Sequence, residues 1–144
     1  MTKDNSTKRN QSPAQPVGKV SLPSKTEVDK ALRTLGGALL KQPWRDMWSS
    51  ERPSTGYCYL VSESIYHFAS IRTFPYFINL GKHGTHWFLH SKETGIVDMT
   101  GDQFDFTVPY GQARRGNFYK GKIQTPRGFI SQRGFQVARC LKLI

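Results

Sequence analysis

"GYCYLVSESIYHF", residues 56–68, begins with a glycine and a cysteine and then runs on as an amphipathic helix. Cys58, Val61, Ile65 and Phe68 follow a 3-4-3 spacing, which stacks them on one helical face. The spacing predicts a helix from about Tyr57 to Ala69, entered from the loop "ERPSTGY" at 51–57. A cysteine on a buried face commonly packs as a small hydrophobe. One in the first helical turn also meets the positive end of the helix dipole, an environment that favours thiolate. Packing and reaction are both open to Cys58.

Upstream, "TEVDKALRTLGGALL" (26–40) begins with Thr26 as a potential cap and places Val28, Leu32, Leu35 and Leu39 at helical spacing, with Gly36-Gly37 weakening or ending the helix. "PWRDMW" then puts Trp44 and Trp48 one turn apart, as expected of lids on the core. Downstream the pattern becomes strand-like in "YFINLG" (76–81), "HWFLH" (86–90) and "GIVDM" (95–99). Residues 105–130 mix strand-like and loop-like pieces, and "ISQRGFQVARCLKLI" closes the chain as a helix with Phe135, Ala138, Leu141 and Cys140 as inward candidates.

The last two of those three strands are joined by the polar turn "SKET" and read as a hairpin. If Ser91 and Gly95 flank a three-residue turn, position 88 sits opposite position 98. His86, Phe88, Ile96 and Asp98 then share one face, with His86 and Asp98 as diagonal neighbours within side-chain reach. A one-residue slip would separate them. A catalytic cysteine needs a base and a group to orient that base, and Cys58, His86 and Asp98 supply them in order. His83 is an alternative base. Asp102 competes with Asp98 but reads as a helix N-cap after Gly101, with Gln103 and Phe104 in the first turn.

The 144 residues suffice for one domain with a real core, and 37% of them are hydrophobic. Residues 1–25 contain no aromatic residue and are rich in Ser, Pro, Gln, Asn and Lys, so they are expected to form a disordered basic tail before a single domain at 26–144. Two widely separated cysteines do not make a disulfide framework. No apolar run has the length of a membrane span and the start lacks a signal-peptide core, so the expected setting is cytoplasmic, without membrane contact. The net charge of +11 is uneven: residues 1–25 carry +4, residues 26–105 carry −1, and residues 106–144 carry +8 with no acidic side chain. Such a distribution favours nucleic acid, anionic ligands or acidic proteins as partners. Arg114, Arg115, Lys120, Lys122, Arg127 and Arg133 are interleaved with Tyr110, Phe118, Tyr119, Phe129 and Phe135, the mixture used to bind single strands. The alternative is that these aromatics are core and the cations simply face solvent.

"GYCYLVSESIYHF", "THWFLHSKETGIVDMTGDQF" and the tyrosine of "VPY" together resemble the YunG-like group, within the papain-like and transglutaminase-like superfamily, over about residues 30–140. The resemblance implies an α+β papain-like fold in which the Cys58 helix packs on a small antiparallel sheet. It also implies a cysteine hydrolase or acyltransferase acting on an amide, ester or thioester. A glutamine just upstream of the cysteine, the expected oxyanion donor, is missing, and Gln42 is the nearest. Tyr57, the Cys58 backbone N–H and Gln103 are the candidate supports. His83-x-x-His86 with Cys58 or Asp98 is a weak zinc pattern, without the Cys-x-x-Cys or His-Glu-x-x-His spacing, and no metal is expected. No Walker or Rossmann loop occurs, and no cofactor is expected. A non-enzymatic binder of nucleic acid or acidic protein, such as a phage-type inhibitor acting through the basic C-terminal third, is the competing function.

Overall fold

Helix α3, Cys58–Phe68, is the centre of the molecule, and the other elements wrap it. The computed structural model describes residues 21–144, so most of the expected tail lies outside the described residues. Helices α1 (Lys25–Leu35), α2 (Trp44–Met47) and α4 (Gln132–Cys140) accompany a four-stranded antiparallel sheet and a separate two-stranded ribbon. The sheet is ordered β3-β2-β1-β4, from β1 (Phe74–Asn79), β2 (Thr85–Ser91), β3 (Gly95–Val97) and β4 (Arg114–Arg115). The ribbon is β5 (Ile123–Thr125) with β6 (Gly128–Ile130). This is an α+β fold in which α3 packs between β2 on one side and α4 on the other. Among the described residues, no helix is long and apolar enough to cross a membrane.

The core side chains of α3 fall where the spacing predicts, for Cys58, Val61, Ile65 and Phe68 are all buried. Each large apolar side chain so buried contributes about 1.5–3 kcal/mol. Yet α3 is not half exposed as an amphipathic surface helix would be. Ser62, Glu63, Ser64 and His67 are buried too, and each has a partner. Ser62 Oγ donates to the Trp87 carbonyl (3.3 Å), and Ser64 Oγ lies 2.7 Å from both the Leu60 and Gly134 carbonyls. His67 Nδ1 meets Thr125 Oγ1 at 2.6 Å, and burial together with the Arg127 charge pushes its pKa down to about 4. Glu63 accepts from the Ser131 N–H (3.0 Å) and hydroxyl (2.7 Å) at the start of α4. Burial raises its pKa, and the Ser131 bonds and the Arg133 charge oppose the rise.

Several boundaries differ from those the sequence suggests. Helix α1 is capped by Ser24 in a capping box with Glu27, not by Thr26, so residues 21–25 belong to the fold rather than to the tail. Lys25 shows why: its ammonium reaches Asp29, Ser54 Oγ, the Met99 carbonyl and Asp102, tying α1 to two loops. Gly36 ends α1 at φ +63°, as the glycine pair suggests. Asp102 does not cap a helix; it lies inside a short 3-10 turn, Gly101–Gln103, and pairs with Lys25.

Candidate active site

Strand register builds the site. Leu89 pairs with Val97, His90 with Ile96 and Ser91 with Gly95, so position 88 lies opposite position 98, the register that the polar turn predicts. Asp98 is the first residue past β3, and from there its carboxylate Oδ2 accepts from His86 Nε2 at 2.7 Å. Both side chains are out of solvent, at 0% and 3% exposure. The opposite edge of the same imidazole, Nδ1, is buried and has no hydrogen-bond partner among the described residues.

Cys58 completes the arrangement as the first residue of α3, 9% exposed. Its thiol donates to the Thr85 carbonyl at 3.7 Å, one residue before His86 on β2. The N–H groups in the first turn of any helix lack intrahelical acceptors, and α3 has no side-chain cap to accept from them. Burial by itself would lower the proton affinity of His86. Hydrogen bonding and charge from Asp98, with the neighbouring Cys58 side chain acting in the same sense, outweigh it and push the pKa up to about 9. Asp98 is drawn below the ordinary carboxylate value. Burial works against this, and the His86, Tyr110 and Thr100 bonds overcome it.

The carboxylate is held on three further sides. Tyr110 Oη donates to Asp98 Oδ2 at 2.6 Å, and the Thr100 N–H donates to Oδ1 at 3.1 Å with its hydroxyl at 3.4 Å. Burial and the Asp98 charge raise the Tyr110 pKa, keeping the phenol a donor. Gly101 leaves room for this knot, because a Cβ there would sit 2.7 Å from Asp98 Oδ2 and 3.0 Å from Tyr110 Oη.

The candidate supports fall into different roles. Tyr57 is wholly buried; its hydroxyl donates to the Gly36 carbonyl (2.6 Å) and its N–H to the Ser54 carbonyl (3.0 Å), so neither donor reaches a substrate at Cys58. Gln103 does border the site. Its Oε1 accepts from the Gly56 N–H at 3.2 Å and its Nε2 donates to the Thr100 carbonyl at 3.0 Å, linking the Cys58 loop to the Asp98 loop. Gly56 has φ +78°, and an added Cβ would come within 2.7 Å of Trp44 Cβ. Gly56→Ala is therefore expected to destabilise the fold by about 2 kcal/mol through strain and collision, a loss measurable by urea unfolding.

Cys58 opens into a cleft of about 480 Å³ whose walls include Trp44, Tyr59, Trp87, Gln103, Phe104 and Tyr119. Trp44 thus lines the cleft as well as packing on the core. Gln42 also borders it, although its amide is engaged with Asp46. His83 stands in the wall against Phe106, with ring centroids 5.0 Å apart, and Asp98 pairs with His86 rather than with it. A larger cavity of about 620 Å³ lies elsewhere, between α1 and the C-terminus beside Cys140, away from these groups. Among the described residues, no three His, Cys, Asp or Glu side chains converge as metal ligands.

The six cations of the C-terminal third do not form one surface. Arg127 is a correction to the expected anion contact: its guanidinium donates inward, to the Tyr66 (2.9 Å) and Ala69 (2.7 Å) carbonyls at the end of α3. Arg115 lies over the Phe74 ring (4.4 Å) and Lys120 over Phe129 (4.6 Å). Arg114 and Lys122 are exposed, and Arg133 reaches the cleft, where it donates to the Leu39 carbonyl at 2.7 Å. Of the interleaved aromatics, Phe118 packs edge-on against Tyr59 and Tyr110 bonds Asp98, whereas Tyr119 stays 83% exposed. In comparisons with known proteins, no family model, curated protein or solved structure matches this chain, and the reading of the site rests on its own geometry.

Proposed function

We propose that the protein is a cysteine acyl-transfer enzyme of papain-like type, a hydrolase or acyltransferase, consistent with a YunG-like affiliation. One observation carries this reading. A cysteine at an uncapped helix start stands beside a fully buried histidine that is tied to an aspartate through one nitrogen and has no partner at the other. Buried polar side-chain atoms are hydrogen-bonded in the large majority of cases, so the orphaned Nδ1 favours a functional reading of His86 over a structural one.

In the proposed cycle, the thiol proton already resides on His86 Nδ1, whose raised proton affinity keeps it there, and Cys58 Sγ attacks the carbonyl carbon of an amide, ester or thioester. Negative charge gathers on the carbonyl oxygen, within reach of the free N–H groups of the first turn of α3. As the tetrahedral adduct collapses, the bond to the leaving group breaks and His86 returns the proton to it. Water or an amine, deprotonated by the same nitrogen, then attacks the thioester and releases Cys58. Asp98 holds the imidazole in the orientation and tautomer that both proton transfers require.

The test is iodoacetamide labelling of Cys58 at neutral pH, followed by intact-protein mass spectrometry in a Cys140→Ser background. His86→Gln is expected to slow labelling at least tenfold while circular dichroism shows the fold retained. Cys58→Ala is expected to stay folded within about 1 kcal/mol of the parent, since only a small buried group is lost. Equal labelling rates with and without His86, or unfolding of Cys58→Ala, would make Cys58 a packing residue.

A further inference from the structure

The charged side chains that line the cleft are of one sign. Lys41 and Arg133 line it, and among the described residues no Asp or Glu does. Acidic groups close by are engaged elsewhere: Asp98 is held by His86, Tyr110 and Thr100, Asp46 by Gln42, and Glu63 is buried against Ser131. Arg133 spends one donor on the Leu39 carbonyl, which fixes its stem and leaves the rest of the guanidinium fork for a ligand. A second hollow of about 240 Å³, sharing Trp44, His83, Gln103 and Phe104 with the first, continues the groove and adds Lys82, with no acid among the described residues that line it. Cations grouped between low-dielectric aromatic walls focus a positive potential where the substrate lies.

We infer that the acyl group presented to Cys58 carries an anion, a carboxylate or phosphate, seated by Arg133 and Lys41 in the cleft. This rests on the acyl-transfer reading and names the substrate class of that same site. It differs from a general attraction of the basic C-terminal third, because Lys41 belongs to the nearly neutral middle of the chain and Arg114, Arg115, Lys120 and Lys122 take no part.

Two alkylating agents of nearly the same size separate the two claims. Iodoacetate and iodoacetamide react with the cysteine sulfur in the same way: a carbon–sulfur bond forms, the carbon–iodine bond breaks and iodide leaves. Only the former carries a carboxylate. The ratio of their rates at Cys58, in the full chain with Cys140→Ser, reports the local anion preference, and the His86 charge contributes equally in every variant compared. Lys41→Gln and Arg133→Gln are each expected to lower the ratio about threefold to fivefold, the effect of one nearby charge at partial screening, while Arg133→Lys largely restores it. Added salt is expected to shrink the preference of the parent as well. A ratio that ignores Lys41 and Arg133, with Cys58 still reactive, overturns the anion assignment and leaves the nucleophile standing. A Cys58 inert to both reagents overturns both. Protection from iodoacetamide separates the two ligand sources: stronger protection by inorganic phosphate than by acetate points to a phosphoryl group, and the reverse points to a carboxylate.

Discussion

Asp98→Ala is expected to lower stability by about 3–5 kcal/mol near pH 6, the usual result of removing one partner from a buried ion pair. The variant leaves His86 Nε2 and Tyr110 Oη buried without the acceptor that both now share. The effect carries a pH signature that a simple cavity lacks. Folding raises the His86 pKa from 6.5 to about 9, against the pull of burial and through Asp98 and Cys58. A raised histidine contributes its full stabilisation below the unfolded value of 6.5 and loses it as pH climbs through the folded value of about 9. That span corresponds to ~3 kcal/mol. At the acidic end Asp98 behaves in the opposite sense: its lowered pKa contributes above the unfolded value of 3.8, and that contribution fades as pH falls below it. The gap between parent and variant should therefore be widest between about pH 4 and 6.5 and narrow by pH 9, as read by urea unfolding at each pH. A gap that stays flat across this range would mean that His86 and Asp98 share no ion pair. Labelling of Cys58 should slow in the same variant, because an unanchored imidazole neither keeps its proton nor holds its orientation.

The backbone of this site was legible from local pattern, and its supports were not. Cys58, His86 and Asp98 could be placed because a 3-4-3 helical spacing and a period-two strand register are short-range regularities, and the polar turn at 92–94 fixed the register. Tyr110 could be singled out as the tyrosine of "VPY", but its bond to Asp98 spans 12 residues of irregular chain that no periodicity describes. Gln103 is a candidate support in the sequence and also reads as part of a helix start after Asp102, and neither reading supplies its partners. Its place comes from a contact 47 residues away, with the N–H of Gly56. The all-round burial of α3 was hidden as well, since Ser, Glu and His on a helix read as a solvent face until α4 and the β5–β6 ribbon bring their partners. Charge counting failed most clearly at Arg127, because composition does not say which way a guanidinium points.

Arg127→Met should destabilise the fold by about 3 kcal/mol, lowering Tm by roughly 10 °C in a domain of this size. Methionine keeps much of the apolar stem, so the loss falls on the charge-assisted bonds to the Tyr66 and Ala69 carbonyls, with longer contacts to Ser70 and Ile71 at 3.4 Å. Carbonyls at a helix C-terminus have no intrahelical donor, and a cation there also meets the negative end of the dipole. The comparison that makes this decisive lies within the same basic segment. Arg115→Met and Lys120→Met remove exposed cations that rest on Phe74 and Phe129, so each should change stability by less than about 1 kcal/mol. Three equally small effects in thermal unfolding would mean that the Arg127 bonds contribute nothing and that the basic third is one solvated surface after all. Helix α3 is 11 residues long, which sets its two ends about 16 Å apart. Arg127 clamps one end while Cys58 opens the other, so the folded fraction of Arg127→Met should still label at Cys58 with its dependence on His86 intact. Losing both together would instead mean that the rigidity of α3, fixed from its far end, is what sets the cysteine against its base.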